Sequence, residues 1–226
     1  MNTRKLFLGL LQKRQCIVPT WRGWLVLLLA IGVAAVIMIR GLYGFLAVQD
    51  PLPGGILVIE GWSPDYVIAG AVDEFHKSRY GQICLTGGPI EFGNAMSEYK
   101  TYAEYALAIC LKSGVPAEAL HAVPAAAADR DRTYASAFAL RQWMQKQGMT
   151  DVKINIAGNG SHSRRTRLVY EKALGPGVKV GISNIEERNF DPRRWWASSS
   201  GFRSVLDELI AYIYARFFFS PPKPLP

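Results

Sequence analysis

The feature that most constrains this chain is an apolar run near its amino terminus. Residues 24–39 contain no charged or strongly polar side chain, and after Arg40 the sequence stays apolar to Val48. About 20 apolar residues in a helix cross the hydrocarbon core of a bilayer, and an arginine near the helix end can extend to the headgroups. Residues 24–48 are therefore predicted to form a transmembrane helix in contact with the lipid bilayer.

A cleaved secretory signal is the alternative explanation of this run. The apolar core of a signal peptide is shorter, about 7 to 15 residues, and is followed by small residues at the cleavage site. This run ends instead in Met38, Ile39 and Arg40. Residues 1–23 carry five basic residues and no acidic residue, and positive charge before a span keeps that side in the cytoplasm. We expect a single-pass protein of the inner (cytoplasmic) membrane with its carboxyl-terminal domain in the periplasm or another extracytoplasmic space.

The charge distribution argues against nucleic acid as a partner. The formal net charge is +8, but six of the 26 basic residues precede residue 41, which leaves 20 basic against 18 acidic residues in the rest of the chain. A nucleic-acid-binding domain needs a concentrated basic face, and a nearly neutral domain does not indicate one. The 50% share of hydrophobic residues also excludes intrinsic disorder.

Two cysteines fall in the part of the chain that is predicted to be exported. A disulfide between Cys84 and Cys110 can persist outside the cytoplasm. Each cysteine lies in an apolar segment, however, and buried free thiols are typical of such positions. The sequence favours two free thiols and leaves the disulfide as the alternative. Cysteine and histidine spacing indicates no metal site, and the sequence identifies no cofactor.

Short apolar runs alternate with helical patterns after the predicted span. Residues 49–55 form a Pro/Gly linker, residues 56–219 the exported domain and residues 220–226 a Pro-rich tail. The predicted strands are 56–59, 83–85, 121–123, 152–157 and 178–182, and the predicted helices are 63–79, 97–112, 133–147, 163–174 and 202–219. Alternation of this kind predicts an α/β fold, a three-layer domain with a mostly parallel, Rossmann-like sheet, preceded by one transmembrane helix. The last helix is expected to pack on the sheet, although its aromatic residues also suit a membrane surface.

Polar residues and glycines follow four of the predicted strands. They are Glu60 and Gly61 after the first, Gly87 and Gly88 after the second, Arg132 and Thr133 after the third, and Asn159, His162, Arg164 and Arg165 after the fourth. Ligands of open parallel sheets bind outside the carboxyl ends of the strands. We therefore expect these residues to converge on one ligand site.

Glycines and arginines in these loops suit an anionic ligand. Gly87 and Gly88 can present backbone amides to an oxyanion, or they can simply form a tight turn. Arg164 and Arg165 open a helix, where the dipole disfavours cations unless an anion is bound; pairing with nearby carboxylates is the alternative. Arg132 is a candidate ligand contact, while Thr133 can equally serve as a helix cap.

His162 is the candidate acid or base. A histidine titrates near neutral pH and can transfer a proton there, although a merely hydrogen-bonded loop histidine is also consistent with the sequence. Glu60 and Glu98 are candidate catalytic carboxylates that can orient His162 or hold sugar hydroxyls. Fingerprints of serine hydrolases, zinc peptidases, P-loop proteins and dinucleotide-binding proteins are absent from the sequence.

Five short motifs occur in a characteristic order: LVIEGW, ICLTGG, Ser97-Glu98, Asp131-Arg132-Thr133 and SHSRR. In this order they resemble the bacterial envelope family that includes YdcF, SanA and ElyC, over residues 54–185. The sequence departs from the family pattern at Glu60 and at residues 134–136. The resemblance implies an anchored protein of cell-envelope or peptidoglycan integrity, while one soluble relative is described as binding S-adenosylmethionine.

Two functional hypotheses follow. The first is an envelope hydrolase or transferase that acts on an anionic phosphorylated, glycan-linked or lipid-linked precursor, with His162 as acid or base. The second is a non-catalytic ligand-binding or scaffold module of an envelope complex, or an S-adenosylmethionine-binding domain.

Overall fold

The chain was examined as a computed structural model that describes residues 5–6, 11–12, 19–90 and 97–222. It divides into two compact units, Met1–Ile39 and Arg40–Pro226. Most of the basic region 1–23 and residues 223–226 of the predicted tail lie outside the described residues. Within the first unit, Lys5–Leu6 and Leu11–Gln12 form a short antiparallel ladder.

Helix α1, Trp21–Leu46, contains the predicted span. Its most apolar 18-residue window has a mean hydropathy of 2.6, and none of that window is buried in protein. The helix begins three residues before the predicted span and ends two residues before its predicted end. It is long and apolar enough to cross a membrane.

The second unit is built on a parallel sheet with helices on both faces, as the sequence predicts. Its strands are β1 Gly55–Glu60, β2 Tyr80–Gly87, β3 Leu120–Pro124, β4 Val152–Asn159 and β5 Val178–Ile185, and its helices are α2 Asp65–Lys77, α3 Tyr102–Lys112, α4 Arg132–Lys146, α5 Ser163–Leu174 and α6 Ser199–Phe217. The strand order is β3-β2-β1-β4-β5. The order reverses between β1 and β4, where open α/β sheets form their ligand crevice.

Both faces of the sheet are buried, which explains the continuous apolar runs in its strands. In β1, Ile56 and Val58 belong to the core beneath α4 and α5, while Leu57 and Ile59 belong to the core beneath α2 and α3. Alternate residues of a strand point to opposite faces, so each face receives half of the run.

The cysteines lie in different cores. Cys84 packs beneath α4 and α5, and Cys110 packs beneath α2 and α3. Both are free thiols, which confirms the favoured prediction. Burial raises the pKa of each thiol to about 12.

Helix α3 begins later than predicted. Thr101 and Glu104 form a capping box in which the Thr101 hydroxyl accepts from the Glu104 amide and the Glu104 carboxylate accepts from the Thr101 amide. These reciprocal bonds satisfy the first-turn amides, so the predicted helix start at Ser97 is wrong. Helix α4 is preceded by Asp131, and Thr133 lies inside the helix rather than at its cap.

Helix α6 packs against α5 and the last turn of α1. Leu46 of α1 is buried with Trp195 and Val205, and Phe45 meets Tyr212 edge to face with ring centroids 5.6 Å apart. The apolar spacing of α6 predicts that it packs on the sheet, which is not its position in the structure. Helices α4 and α5 already cover that face, so α6 forms an additional layer beside them.

Candidate functional site

A cleft of about 940 Å³ lies at the carboxyl edge of the sheet. The end of β4 and the segments that follow β2, β3 and β4 contribute six predicted residues to its lining: Gly88, Arg132, Thr133, Asn159, His162 and Arg165. Helix α6 contributes Ser204, Glu208, Ala211 and Ala215. The predicted convergence at the strand ends therefore occurs for these six residues. The wall formed by α6 was not predicted.

His162 is held between two carboxylates. It lies in the 3₁₀ turn Gly160–His162, between β4 and α5, and is only 7% exposed. Its Nδ1 atom is 2.8 Å from Oε1 of Glu208, and its Nε2 atom is 3.5 Å from Oε2 of Glu60. The indole of Trp62 meets the imidazole edge to face, with ring centroids 4.9 Å apart. These contacts fix both the position and the tilt of the imidazole ring.

The charges of this group stabilise one another. Burial lowers the pKa of His162, but attraction and hydrogen bonding to Glu208, with a further contribution from Glu60, outweigh burial and raise the pKa above its ordinary value. Burial raises the pKa of Glu208, but His162 and Arg165 outweigh it and lower this pKa to about 2. The result is a buried imidazolium–carboxylate pair.

Arg165 binds the same carboxylate through two nitrogens. Its Nε atom donates to Oε2 of Glu208 at 2.8 Å, and its Nη2 atom donates to Oε1 at 3.0 Å. Paired guanidinium–carboxylate bonds of this kind are strong and directional. Arg165 thereby holds Glu208 in place beneath the imidazole.

The Nη2 atom of Arg165 is also 2.8 Å from Nδ1 of His162. Nδ1 cannot donate to Glu208 and accept from Arg165 at the same time, so the two contacts belong to different protonation states. When Nδ1 carries a proton it donates to Glu208. When only Nε2 carries one, Nδ1 accepts from Arg165. The ring thus has a partner at Nδ1 in either state.

Two buried polar atoms of this group have no hydrogen-bond partner among the residues that the structure describes: Oε1 of Glu60 and Nε2 of His162. Glu60 ends β1 and is only 2% exposed. Leaving such a group unpaired costs about 1 to 3 kcal/mol. A bound molecule that pairs with Nε2 of His162, a residue that lines the cleft, would recover that energy. No molecule fits between Nε2 and Oε2 of Glu60 at 3.5 Å, and Glu60 is not among the described residues that line the cleft.

Other predicted ligand-binding residues surround this group. Thr133 Oγ1 lies 3.5 Å from Nη1 of Arg165, and Oδ1 of Asn159 accepts a hydrogen bond from Tyr66. Arg132 and Gly88 also line the cleft. The amino-terminal ends of α4 and α5 meet here as well, and the positive ends of their dipoles favour an anion.

Two predicted glycines lie outside the cleft. A Cβ atom at Gly61 would overlap the carbonyl oxygen of Tyr102, and one at Gly87 would overlap the Tyr102 side chain. These glycines allow the start of α3 to approach the sheet. Their role in the structure is close backbone packing, and the ligand contact predicted for them stays a prediction from the sequence.

Arg164 and Glu98 also lie outside the cleft. The Arg164 guanidinium stacks on the ring of Phe45 at 4.1 Å, and its Nε atom donates to the Phe45 carbonyl. Glu98 borders a separate shallow depression beside Tyr99 and Lys100. Arg164 is turned away because successive residues at a helix start point in different directions, and Glu98 precedes α3 instead of opening it. The lining of the cleft does not include either residue, and their roles stay predictions from the sequence.

Sequence reasoning missed Glu208, which lies on a helix interpreted only as apolar packing. A signal was available in the spacing of α6. Ser204, Glu208, Ala211 and Ala215 recur at intervals of four and three residues and therefore share one helix face. That small and polar face lines the cleft. A carboxylate on a helix face that otherwise carries only small side chains indicates that a cation or a hydrogen-bond donor lies opposite it.

Metal ligation has little support in the described part of the chain, where no group of three or more His, Cys, Asp or Glu side chains is arranged to hold an ion. Comparisons with protein-family models, curated proteins and solved structures give no match. The resemblance to the YdcF, SanA and ElyC family is thus still a prediction from short motifs, and the function must be argued from the cleft.

Proposed function

We propose that this chain is a membrane-anchored, exported hydrolase or transferase of the cell envelope that acts on a phosphorylated or glycan-linked ligand, with His162 as the acid. The observation that carries the proposal is the environment of His162. Its Nδ1 atom is bound by Glu208, while its Nε2 atom, 3.5 Å from Oε2 of Glu60, is buried without a hydrogen-bond partner among the described residues.

The protonated imidazole suits proton transfer to a ligand in the cleft. The raised pKa of His162 favours the imidazolium at neutral pH, so Nε2 can donate a proton to a departing oxygen. Glu60 does not line the cleft, so its carboxylate stabilises the imidazolium, and the neutral imidazole left after this transfer can take up the proton of the incoming water or hydroxyl group. A bond forms between the incoming oxygen and the ligand's phosphorus or anomeric carbon as the bond to the departing oxygen breaks. Glu208 and Arg165 position the imidazole.

The cleft lining supports a ligand that carries both phosphate and hydroxyl groups. Three arginines line the cleft together with four carboxylates: Arg130, Arg132 and Arg165 with Asp129, Asp131, Glu187 and Glu208. Arginines and helix amino termini suit phosphate oxygens, and carboxylates accept hydrogen bonds from sugar hydroxyls. The mixed lining therefore favours a phosphorylated sugar over a simple anion.

The charge before α1 supports the orientation in the membrane that the proposal assumes. Residues 1–23 are basic without an acid, which supports a cytoplasmic amino terminus and an exported second unit in the inner membrane. This compartment is where envelope precursors are assembled, in agreement with the family resemblance of the sequence motifs.

The test compares two matched histidine substitutions in the full chain, purified in detergent and incubated with a lipid extract of bacterial envelopes. Mass spectrometry follows the loss of phosphorylated glycolipids and the appearance of products. His162→Gln is expected to lower turnover about 100-fold or more. His76→Gln, on the exposed side of α2, is expected to turn over like the wild type.

Retention of a glycolipid by both variants, without turnover in the wild type, would contradict the enzyme proposal and favour the binding module. Equal turnover in His162→Gln and wild type would remove His162 from the mechanism. Retention of S-adenosylmethionine instead of a glycolipid would favour an S-adenosylmethionine-binding domain, the alternative within the second hypothesis.

A further inference from the structure

Helix α6 presents three different faces. Its first face, with Val205, Leu209 and Tyr212, packs near the last turn of α1. Its second face, with Ser204, Glu208, Ala211 and Ala215, lines the cleft. Its third face carries Ile210, Ile213, Tyr214 and Phe217, which are 66%, 42%, 48% and 74% exposed. At 3.6 residues per turn these four side chains form one strip between the other two faces, which we call the α6 strip.

The α6 strip is unusually apolar for a surface. Phe218, which directly follows the helix, is 74% exposed and extends the apolar area. Scattered exposed apolar residues are ordinary, but contiguous patches mark interaction sites. We therefore expect the strip to be covered by an apolar surface.

The surroundings of the strip match the surface of a bilayer. Exposed arginines flank it on α6 at Arg203 and Arg216, and Arg193, Arg194 and the partly exposed Trp196 lie in the 3₁₀ segment before the helix. Apolar and aromatic side chains beside arginines are typical of helices that lie in the headgroup layer, where arginines meet anionic lipid phosphates. A second copy of the chain would bring the same four arginines together, with Asp207 as the one exposed carboxylate of α6 to offset them.

The strip lies next to the face of α6 that packs against the end of α1. Leu42, Tyr43 and Leu46, at the end of α1, pack against the neighbouring face of α6. Leu42 follows the apolar residues 24–39 by three positions, so α6 packs against the part of the chain that directly follows the candidate span.

We infer that the α6 strip is seated in the headgroup layer of the membrane that α1 spans, so that the cleft opens beside the bilayer and takes a ligand carried on a lipid. Tyr214 belongs to the strip and also lines the cleft, which connects the lipid surface to the site. The inference rests on the proposed anchoring by α1, and it does not depend on the reaction at His162.

Spin labels can measure this seating in the full chain. With Cys16→Ser as background, single nitroxide labels are placed by Ile213→Cys and Phe217→Cys on the strip, by Val33→Cys in α1 and by Leu111→Cys on α3. Leu111 is the matched control, since it is 43% exposed on the opposite side of the sheet. Each protein is inserted, one copy per disc, into nanodiscs of phosphatidylcholine with anionic phosphatidylglycerol, and collision with oxygen and with a water-soluble nickel complex is measured.

Labels at 213 and 217 are expected to collide several-fold less with nickel than the label at 111, at a depth shallower than that of the label at 33. Nickel access at 213 and 217 equal to that at 111 would overturn the inference while leaving the anchor intact. Nickel access at 33 would overturn the anchoring and the inference together. Protection at 213 found only in discs with two copies would identify a second chain as the occupant and would also overturn the inference.

Discussion

His162 and Glu208 are 46 positions apart in the chain, yet Nδ1 of the imidazole lies 2.8 Å from Oε1 of the carboxylate. One residue comes from the turn after β4 and the other from α6, the helix that also packs against the last turn of α1. The same helix therefore links the candidate membrane anchor to the orientation of the candidate catalytic group.

Glu208→Gln is expected to lower the pKa of His162, because a carboxylate that stabilises the imidazolium is replaced by a neutral amide. The titration of the imidazole C–H signals by NMR measures this pKa in the detergent-solubilised chain. Signals of His76 and His121 serve as internal references. An unchanged or raised pKa would show that Glu208 does not govern the charge of His162.

The same pair predicts how stability depends on pH. The pKa of Glu208 is lowered from 4.5 to about 2 in the folded chain, so its contribution is present above pH 4.5 and is lost as pH falls toward 2. The contribution is roughly 3 kcal/mol. The raised pKa of His162 acts in the opposite direction: its stabilisation is full below pH 6.5 and is lost as pH rises through the folded value.

Denaturant unfolding of the detergent-solubilised chain at pH 3 and pH 6 checks this. The wild type is expected to lose more free energy of unfolding between these two pH values than Glu208→Gln does. An equal loss in both proteins would assign the acid sensitivity to other carboxylates.

Gly61→Ala is expected to destabilise the fold by about 1 to 3 kcal/mol, because the added methyl group would overlap the Tyr102 carbonyl. Gly81→Ala is the control, since a methyl group there meets open space. The two free energies of unfolding are compared in denaturant. If Gly61→Ala were as stable as Gly81→Ala but no longer retained the envelope ligand, the packing role would be contradicted. The ligand contact predicted for Gly61 from the sequence would then be supported.

Cys84 and Cys110 are expected to resist alkylation in the native chain, because burial raises the pKa of each thiol to about 12 and blocks the reagent. In a Cys16→Ser background, mass spectrometry counts the maleimide groups added before and after denaturation without reductant. The expected numbers are none and two. Failure to label the denatured chain would indicate a disulfide.

The architecture was predictable because its signals are local. Continuous apolar runs such as that of β1 indicate strands buried on both faces, and the regular alternation with helices then requires parallel strands. Helix starts were less predictable. The sequence offers two possible starts for α3, at Ser97-Glu98 and at Thr101 with Glu104, and only the hydrogen bonds of the capping box identify the second as the actual one.

The site was half predictable. Parallel strands place their carboxyl ends along one edge, so His162, Arg165 and Thr133 were expected together and are found together. The same reasoning included Arg164 because it neighbours Arg165, although adjacent residues on a helix point about 100° apart. It omitted Glu208 because α6 lies outside the alternating pattern that locates strand-end loops.

An apolar segment long enough for a membrane and an α/β domain can both be predicted for this chain without its structure, since both follow from where apolar residues recur along the chain. Which polar residues meet depends on the tertiary structure. Hydrophobic burial places helices and strands without regard to individual charges, whereas the pairing of His162 with Glu208 and Glu60 depends on distances of a few ångströms between segments remote in the chain.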